Sequence, residues 1–213
     1  MADMPRVPSS PALMRVACSP APKEQLDKES RRDPFFISDD LSMDVNHFYL
    51  PAHYTDSLQE ILVPHGMIVD RVEKLAADIT SDYNGHTIHL ICVLKGGSTF
   101  FYDLCAALRR MHDYSNQNYI PYTFDFIRVK SYEGTESTGK VEISGMDVKT
   151  LEGKHVVFVE DIIDTGLTMT SLMAHMNEFV KPKSVRVASL VEKRTSRSCG
   201  FKGDYVGFSI PDK

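Results

Sequence analysis

Several features of membrane, secreted and nucleic-acid-binding proteins are absent from this sequence. No apolar run approaches the length that crosses a bilayer. The four cysteines show no paired spacing, which predicts a reducing, cytoplasmic location with Cys92 and Cys105 as buried free thiols. A net charge of −5 and a pI near 5.9 argue against general nucleic-acid binding, which favours basic surfaces. The expected class is a soluble globular protein without a membrane or nucleic-acid partner.

The first part of the chain differs in composition from the rest. Residues 1–34 contain five prolines between positions 5 and 22 and then a charged cluster from Lys23 to Arg32. This composition predicts a disordered tail, followed by one domain over residues 35–213. The short apolar stretch from Ala12 to Met14 does not make the centre of a signal peptide. Arginines and serines in the tail leave a transit peptide open as an alternative.

After the tail, strand and helix patterns alternate. The near-continuous apolar run Ile88–Leu94 predicts a strand that is covered on both faces. Ser98 is expected to cap a helix with a buried apolar stripe. The other predicted strands cover 122–129, 156–159 and 184–190, and the other predicted helices cover 67–83 and 167–180. This alternation predicts an α/β fold with a parallel sheet covered by helices on both faces.

The most informative segment runs from Val156 to Met169. Four apolar residues form a strand, two carboxylates follow, and a turn of small residues opens a helix. Ligands of open α/β sheets bind beyond the carboxyl ends of the strands, and free backbone amides at a helix start bind anions. Ionised Glu160 and Asp161 suit sugar hydroxyls or a magnesium ion, and Asp164 is placed to take a proton. The segment therefore predicts a sugar-phosphate site.

A simpler interpretation of the same segment remains open. Asp164 or Thr165 would only cap the helix, and the acidic pair would be a solvated strand end. A cap alone does not require two carboxylates directly before it, nor a second threonine after Gly166. The spacing of a Walker loop does not occur here.

Two further loops carry residues suited to catalysis. Lys95-Gly96-Gly97 follows a strand and precedes a helix, so its backbone amides and its lysine suit a pyrophosphate, although an ordinary turn would look the same. The polar, glycine-containing stretch from Lys130 to Met146 is predicted to be a long loop, either an active-site lid or a surface loop.

These segments resemble the type I phosphoribosyltransferases and, more narrowly, the hypoxanthine-guanine phosphoribosyltransferases of animals. The run Val159–Thr168 is similar to their phosphoribosyl-pyrophosphate motif. Further matches lie at Leu94–Gly97, Asp125–Tyr132, Val187–Leu190, Lys193–Thr195 and Asp204–Pro211. The resemblance extends from about Phe36 to the last residue. It implies the type I phosphoribosyltransferase fold, in which helices flank a parallel sheet and a hood covers the base.

The resemblance also implies a reaction. The family transfers a 5-phosphoribosyl group from phosphoribosyl pyrophosphate to hypoxanthine or guanine, with magnesium as cofactor. Asp164 would accept the purine proton, and Lys193 would donate to the exocyclic oxygen and so select 6-oxopurines. Ser131 and Tyr132 would cover the reacting centre and exclude water. The Leu94–Lys95 peptide is expected to be cis.

The candidate residues divide by role. Asp164 is the catalytic candidate. Glu160 and Asp161 are expected to bind the metal indirectly, through ribose or water. Leu167 replaces a basic residue of many animal members, a tolerable change because that contact uses the backbone amide. The substrate-binding candidates are Lys95, Gly96, Arg128, Lys130, Ser131, Tyr132, Glu160, Asp161, Ile162, Ile163, Asp164, Thr165, Gly166, Leu167, Thr168, Lys193 and Lys213. A homo-oligomer, either a dimer or a tetramer, is expected.

One departure from the family concerns the region after Ile210–Lys213. Other members continue with a strand and a closing segment that supply an aromatic ring for the purine, an aspartate for a metal and an arginine for pyrophosphate. We therefore expect an incomplete hood and a weaker purine half of the site. Two alternatives to an active enzyme stay open: a weak or inactive binding or oligomer-forming subunit, and a nucleic-acid-binding regulator on the same fold.

Overall fold

A seven-stranded sheet organises the computed structural model, which describes residues 31–54, 56–114, 120–131 and 141–212. The strands of the described residues are β1 (Phe35–Phe36), β2 (Ile88–Leu94), β3 (Tyr122–Ser131), β4 (Val141–Ser144), β5 (His155–Ile163), β6 (Ser184–Arg194) and β7 (Tyr205–Pro211). Their order is β1-β7-β6-β5-β2-β3-β4, and every pair except β3–β4 is parallel. The strands that end in candidate site residues are therefore neighbours.

In the described ranges, three α-helices cover the two faces of this sheet: α1 (His65–Asp82), α2 (Ser98–Tyr114) and α3 (Leu167–Phe179). Alternate residues of β2 point to opposite faces, as a strand requires. Leu90 and Cys92 pack with α1 and α2 in one core cluster, whereas Ile91 packs with α3 in the other. The prediction of a parallel sheet covered on both faces is confirmed.

Several predicted boundaries need correction. The predicted bounds of β2 are confirmed, but β5 continues beyond Val159 to Ile163, and β6 continues beyond Leu190 to Arg194. Both strands extend because polar residues at their ends keep pairing with neighbours, as in the pair Ile163 and Glu192. Ser98 is the first residue of α2, and its hydroxyl donates to the Lys95 carbonyl oxygen (3.0 Å).

The predicted loop over residues 130–146 is wrong at both ends. β3 continues to Ser131, and Val141–Ser144 forms β4, which pairs antiparallel with Arg128–Ser131. Val141 and Ile143 alternate with polar residues, which is the pattern of a strand. Residues 132–140, which include Tyr132 of the expected lid, lie outside the described residues.

Arg31 and Arg32, which the sequence placed in the tail, contact the domain. Arg31 donates to the buried Glu192 carboxylate (3.1 Å), and Arg32 pairs with Asp82. The predicted disorder of residues 1–30 lies outside the described residues. In the described part of the chain, no helix is both long and apolar enough to cross a membrane. Cys92 and Cys105 are buried free thiols, as predicted.

Candidate active site

The candidate residues collect where the parallel strands end at their carboxyl side. Gly96 follows β2, Asp164 follows β5, Lys193 lies near the end of β6 and Asp212 follows β7. Because β2, β5, β6 and β7 are successive neighbours in the sheet, segments far apart in sequence meet at one edge. This is the usual position of a ligand site in an open α/β sheet.

The turn between β5 and α3 is built around Gly166. This glycine is the N-cap of α3 and has a φ of +83°, a left-handed conformation that glycine adopts without steric strain. A Cβ at this position would lie 2.7 Å from Phe201 Cβ and 3.2 Å from Cys199 Sγ. Glycine is therefore required here both by backbone conformation and by space.

The first amides of α3 are largely left for a ligand. No side chain caps the helix at Gly166, and the Leu167 amide reaches Thr165 Oγ1 only at 3.4 Å. Asp164 therefore does not cap α3, whereas the Thr165 half of the capping interpretation retains this one long hydrogen bond. The turn encloses a cavity of about 180 Å³, lined by residues 160–166 with Thr168 and Met169. Its amides and threonine hydroxyls suit a phosphate.

The acidic pair before this turn is not a freely solvated strand end. Burial raises the pKa of Glu160 to about 8, and the hydrogen bond and negative charge of Asp161 add to the shift. The Asp161 amide donates to Glu160 Oε1 (3.2 Å), and the Ile162 amide donates to Asp161 Oδ1 (2.8 Å). A polarised sugar hydroxyl or a hydrated cation nearby would favour the ionised form of Glu160.

The loop after β2 lies against the acidic pair. The Leu94–Lys95 peptide is cis, as expected from the resemblance. A Cβ on Gly96 would lie 2.1 Å from Asp161 Oδ2, and a Cβ on Gly97 would lie 2.8 Å from the Val93 carbonyl oxygen. A side chain at Gly97 would meet backbone atoms, and one at Gly96 would displace the Asp161 carboxylate, so the loop lies directly against Asp161.

A cluster of four charged side chains lies beside the turn. Lys193 Nζ is 3.8 Å from Asp164 Oδ1 and 2.5 Å from Asp212 Oδ1, and Arg197 NH2 is 3.9 Å from Asp164 Oδ2. The Lys193 side chain is only 17% exposed, compared with 45% for Asp164. The predicted base and the predicted purine-selecting lysine are therefore neighbours.

Some predicted site residues are only partly described. Arg128 is exposed on β3, where its backbone pairs with Ser144. Lys130 and Ser131 belong to the β3 ladder, but their side chains are outside the described part of the structure, as are Tyr132 and Lys213. Their substrate-binding roles stay predictions.

Sequence reasoning missed Arg197 and Asp212. Arg197 follows Lys193 by four residues and carries no motif of its own. Asp212 follows directly on the matched segment Asp204–Pro211, and that position was its only signal. Their part in the site depends on strand pairing across β5, β6 and β7.

The donor set fits an indirectly held cation better than a closed metal site. Within the described residues, no group of three or more histidine, cysteine, aspartate or glutamate side chains is placed to hold a metal ion. Glu160 and Asp161 offer adjacent carboxylate oxygens, which suit a hydrated magnesium ion that keeps most of its waters.

Comparison with known proteins agrees with this geometry. Residues 59–213 match the phosphoribosyl transferase domain family. The hypoxanthine-guanine phosphoribosyltransferase of Bos taurus is 50% identical over 186 residues, which cover 86% of this chain and 84% of that protein. The chain belongs to the hypoxanthine-guanine phosphoribosyltransferase family. The family member from Homo sapiens is 49% identical over 179 residues, covering 83% of this chain and 81% of the human protein.

Solved structures of the hypoxanthine-guanine phosphoribosyltransferase family share the fold. The enzyme from Schistosoma mansoni in complex with IMP superposes with a TM-score of 0.68 at 33% identity, covering 85% of this chain and 84% of that one. A hypoxanthine phosphoribosyltransferase from Staphylococcus aureus gives 0.66 at 30% identity, covering 78% of this chain and 84% of that one. The predicted type I phosphoribosyltransferase fold is confirmed.

Proposed function

We propose that this protein transfers the 5-phosphoribosyl group of phosphoribosyl pyrophosphate to hypoxanthine or guanine, giving IMP or GMP and pyrophosphate. The observation that carries the proposal is the pairing of Asp164 with Lys193, 3.8 Å apart, beside an open helix N-terminus. One end of this arrangement suits a phosphate and the other suits the polar edge of a base. A 5′-phosphorylated nucleoside has both groups.

The sugar-phosphate half follows from the β5–α3 turn. The amides and hydroxyls of residues 165–168, called the phosphate cradle below, hold the 5′-phosphate. The positive end of the α3 dipole favours its charge. Glu160 and Asp161 accept from the ribose hydroxyls. The Lys95–Gly97 loop, which lies against Asp161, is placed to receive the pyrophosphate.

The base half follows from the charge cluster. The Lys193 ammonium donates to the exocyclic oxygen of a 6-oxopurine, whereas the amino group of adenine does not accept such a bond. Asp164 accepts the proton from the adjacent ring nitrogen as the new bond to the sugar forms. The exocyclic oxygen of the purine, an acceptor, thus meets the Lys193 ammonium, a donor. The neighbouring ring N–H, a donor, meets the Asp164 carboxylate, an acceptor.

Magnesium is the proposed cofactor. When bound with the substrate it neutralises charge on the leaving pyrophosphate. Glu160 and Asp161 would hold it through ribose oxygens or water, because their carboxylates lie between the β5–α3 turn and the Lys95–Gly97 loop.

The experiment that tests this function is a spectrophotometric assay of IMP formation from hypoxanthine. Asp164→Asn removes the proton acceptor while keeping shape, so kcat falls by about 10²- to 10⁴-fold. Binding of ribose 5-phosphate stays unchanged, because the phosphate cradle is intact. Asp40→Asn, an exposed aspartate outside the cluster, serves as the control and keeps full activity.

No turnover by the unsubstituted chain would contradict the proposal. If that chain still bound ribose 5-phosphate, the result would favour the alternative of an inactive binding or oligomer-forming subunit. Turnover that survives Asp164→Asn would remove Asp164 from the mechanism but leave the transfer reaction in place.

We infer that the protein forms a homo-oligomer, a dimer or a tetramer. Tyr102 and Phe124 are 59% and 48% exposed, and their rings lie within 6.4 Å and 5.8 Å of the Phe126 ring. This aromatic patch (Tyr102, Phe124 and Phe126) is a surface that a second copy would cover.

We also infer a cytoplasmic location. The support is that Cys92 and Cys105 are free thiols rather than a disulfide. Fractionation of cells that produce the full chain tests this.

A further inference from the structure

Lys193 is held by a carboxylate that sequence reasoning did not assign to the site. Its ammonium lies 2.5 Å from Asp212 Oδ1. The contact depends on the β6–β7 ladder, in which Lys193 pairs with Ile210, two residues before Asp212. The strand register thus places the acid beside the end of the lysine side chain.

Asp212 has a second polar neighbour. The Thr195 side chain lies two residues beyond Lys193, is only 8% exposed, and acts after Lys193 to lower the pKa of Asp212. The Arg197 amide donates to the Thr195 hydroxyl oxygen (3.3 Å), which orients this hydroxyl in turn. Lys193 and Thr195 therefore both favour the ionised Asp212 carboxylate, which pairs with the lysine.

The contact leaves the lysine able to bind a substrate. An ammonium group has three donors, and Asp212 takes one of them. The 3.8 Å separation from Asp164 Oδ1 is too long for a hydrogen bond. Lys193 therefore retains donors that point away from Asp212, and Asp164 retains acceptors for the base.

We propose that Asp212 is a positioning residue for base recognition, which fixes the Lys193 ammonium where the exocyclic oxygen of a 6-oxopurine binds. This inference rests on the proposed function. Without Asp212, the four-carbon stem of the lysine would sample many rotamers, and its charge would turn towards Asp164. The base would then lose its donor, and Asp164 would lose its freedom to accept a proton.

The surrounding charges support this role. Among the described residues, three charged groups face Lys193: Asp212 after β7, Asp164 after β5 and Arg197 after β6. The hydrogen bond to Asp212 raises the pKa of Lys193, the charge of Asp164 adds to this, and Arg197 opposes it. The same pairing lowers the pKa of Asp212. Loss of Asp212 therefore lowers the pH at which the lysine loses its donor proton.

The test compares equilibrium binding of IMP and of ribose 5-phosphate by calorimetry. Asp212→Asn weakens IMP binding by about 10-fold or more, the usual effect of losing a charged hydrogen-bond partner. Ribose 5-phosphate binding changes by less than about twofold, because the phosphate cradle does not involve Asp212. Asp212→Glu, which keeps the charge, recovers part of the loss.

Asp39→Asn is the matched control. It removes a carboxylate from Arg194, the residue next to Lys193, and leaves the Lys193 contacts in place. We expect this variant to bind both ligands like the unsubstituted protein. Thermal unfolding of each variant shows whether the fold is retained.

The pH profile separates positioning from a merely structural role. In Asp212→Asn, the basic limb of kcat/KM for hypoxanthine moves to lower pH, whereas the profile for phosphoribosyl pyrophosphate does not move. If Asp212→Asn leaves both IMP binding and the pH profile of kcat/KM for hypoxanthine unchanged, this inference is wrong. The proposed function would still stand. An unsubstituted chain that binds IMP no better than ribose 5-phosphate would overturn the proposed function, and this inference with it.

Discussion

At the residue scale, His155 gives the fold a dependence on pH. It begins β5, at the opposite end of the strand from Asp164, and its Nδ1 lies 2.7 Å from Ser184 Oγ. Burial lowers the pKa of His155 from 6.5 to about 4, and the charges of Lys183 and His86 contribute. Between these pH values the unfolded chain binds more protons than the folded one. The contribution of neutral, buried His155 to the free energy of unfolding is therefore complete above pH 6.5. It is lost as the pH falls towards 4.

We expect His155→Gln to flatten this dependence. The difference in the free energy of unfolding between pH 7 and pH 4 shrinks by on the order of 1 to 3 kcal/mol. Urea denaturation across this range measures it. His53→Gln removes an exposed histidine and serves as the control. Equal slopes for all three proteins would show that His155 does not carry the effect.

Individual site residues differed in how far the sequence revealed them. Asp164 and Gly166 lie in one continuous motif, so their proximity is local and readable from the chain. Lys193 was identified through resemblance, and Arg197 and Asp212 were not found. Their proximity to Asp164 comes from pairing of β6 with β5 and β7, and side-chain neighbours across a sheet leave no spacing signal in the sequence.

At the element scale, the turn between β5 and α3 tolerates no side chain at Gly166. Gly166→Ala forces a left-handed φ on alanine and places its Cβ against Phe201. We expect a loss of about 1 to 3 kcal/mol in the free energy of unfolding. We also expect at least a tenfold loss of ribose 5-phosphate affinity, about 1.4 kcal/mol, because the amides that bind phosphate shift.

Gly153→Ala is the matched control for this prediction. Gly153 has a φ of +68°, and a Cβ there would meet nothing within 4 Å. This variant carries the backbone strain without the clash and lies away from the turn, so ribose 5-phosphate affinity is unchanged. Equal affinity losses in both variants would contradict the role assigned to the turn.

Elements were predictable where composition was uniform. β2 is an apolar run interrupted at His89 and bounded by polar residues, so its ends were clear. β5 and β6 end in charged residues that still pair with neighbours, and this made them longer than their apolar parts. β1 is two residues long and β4 is four, too short for a periodic pattern to emerge from the surrounding sequence.

At the scale of the whole molecule, the aromatic patch predicts self-association. Phe124→Glu places a charge within the proposed interface, so the molecular mass measured by light scattering during gel filtration falls towards that of a monomer. Phe179→Glu is the matched control, because Phe179 is 49% exposed, like Phe124 at 48%, but ends α3 on the other face of the sheet. A monomeric mass for the unsubstituted protein would remove the basis of the prediction.

The order of the strands has a consequence for how correct folding of this protein is judged. The phosphate cradle belongs to one short stretch of chain, whereas the Lys193–Asp212 pair exists only after β7 has joined β6. The cavity of the cradle is lined by residues between 160 and 169, so it does not need the pairing of β6 with β7. A partly folded population would then retain some affinity for phosphate while failing to bind a nucleotide. On the proposed function, nucleotide binding is the stricter criterion of a correctly folded preparation.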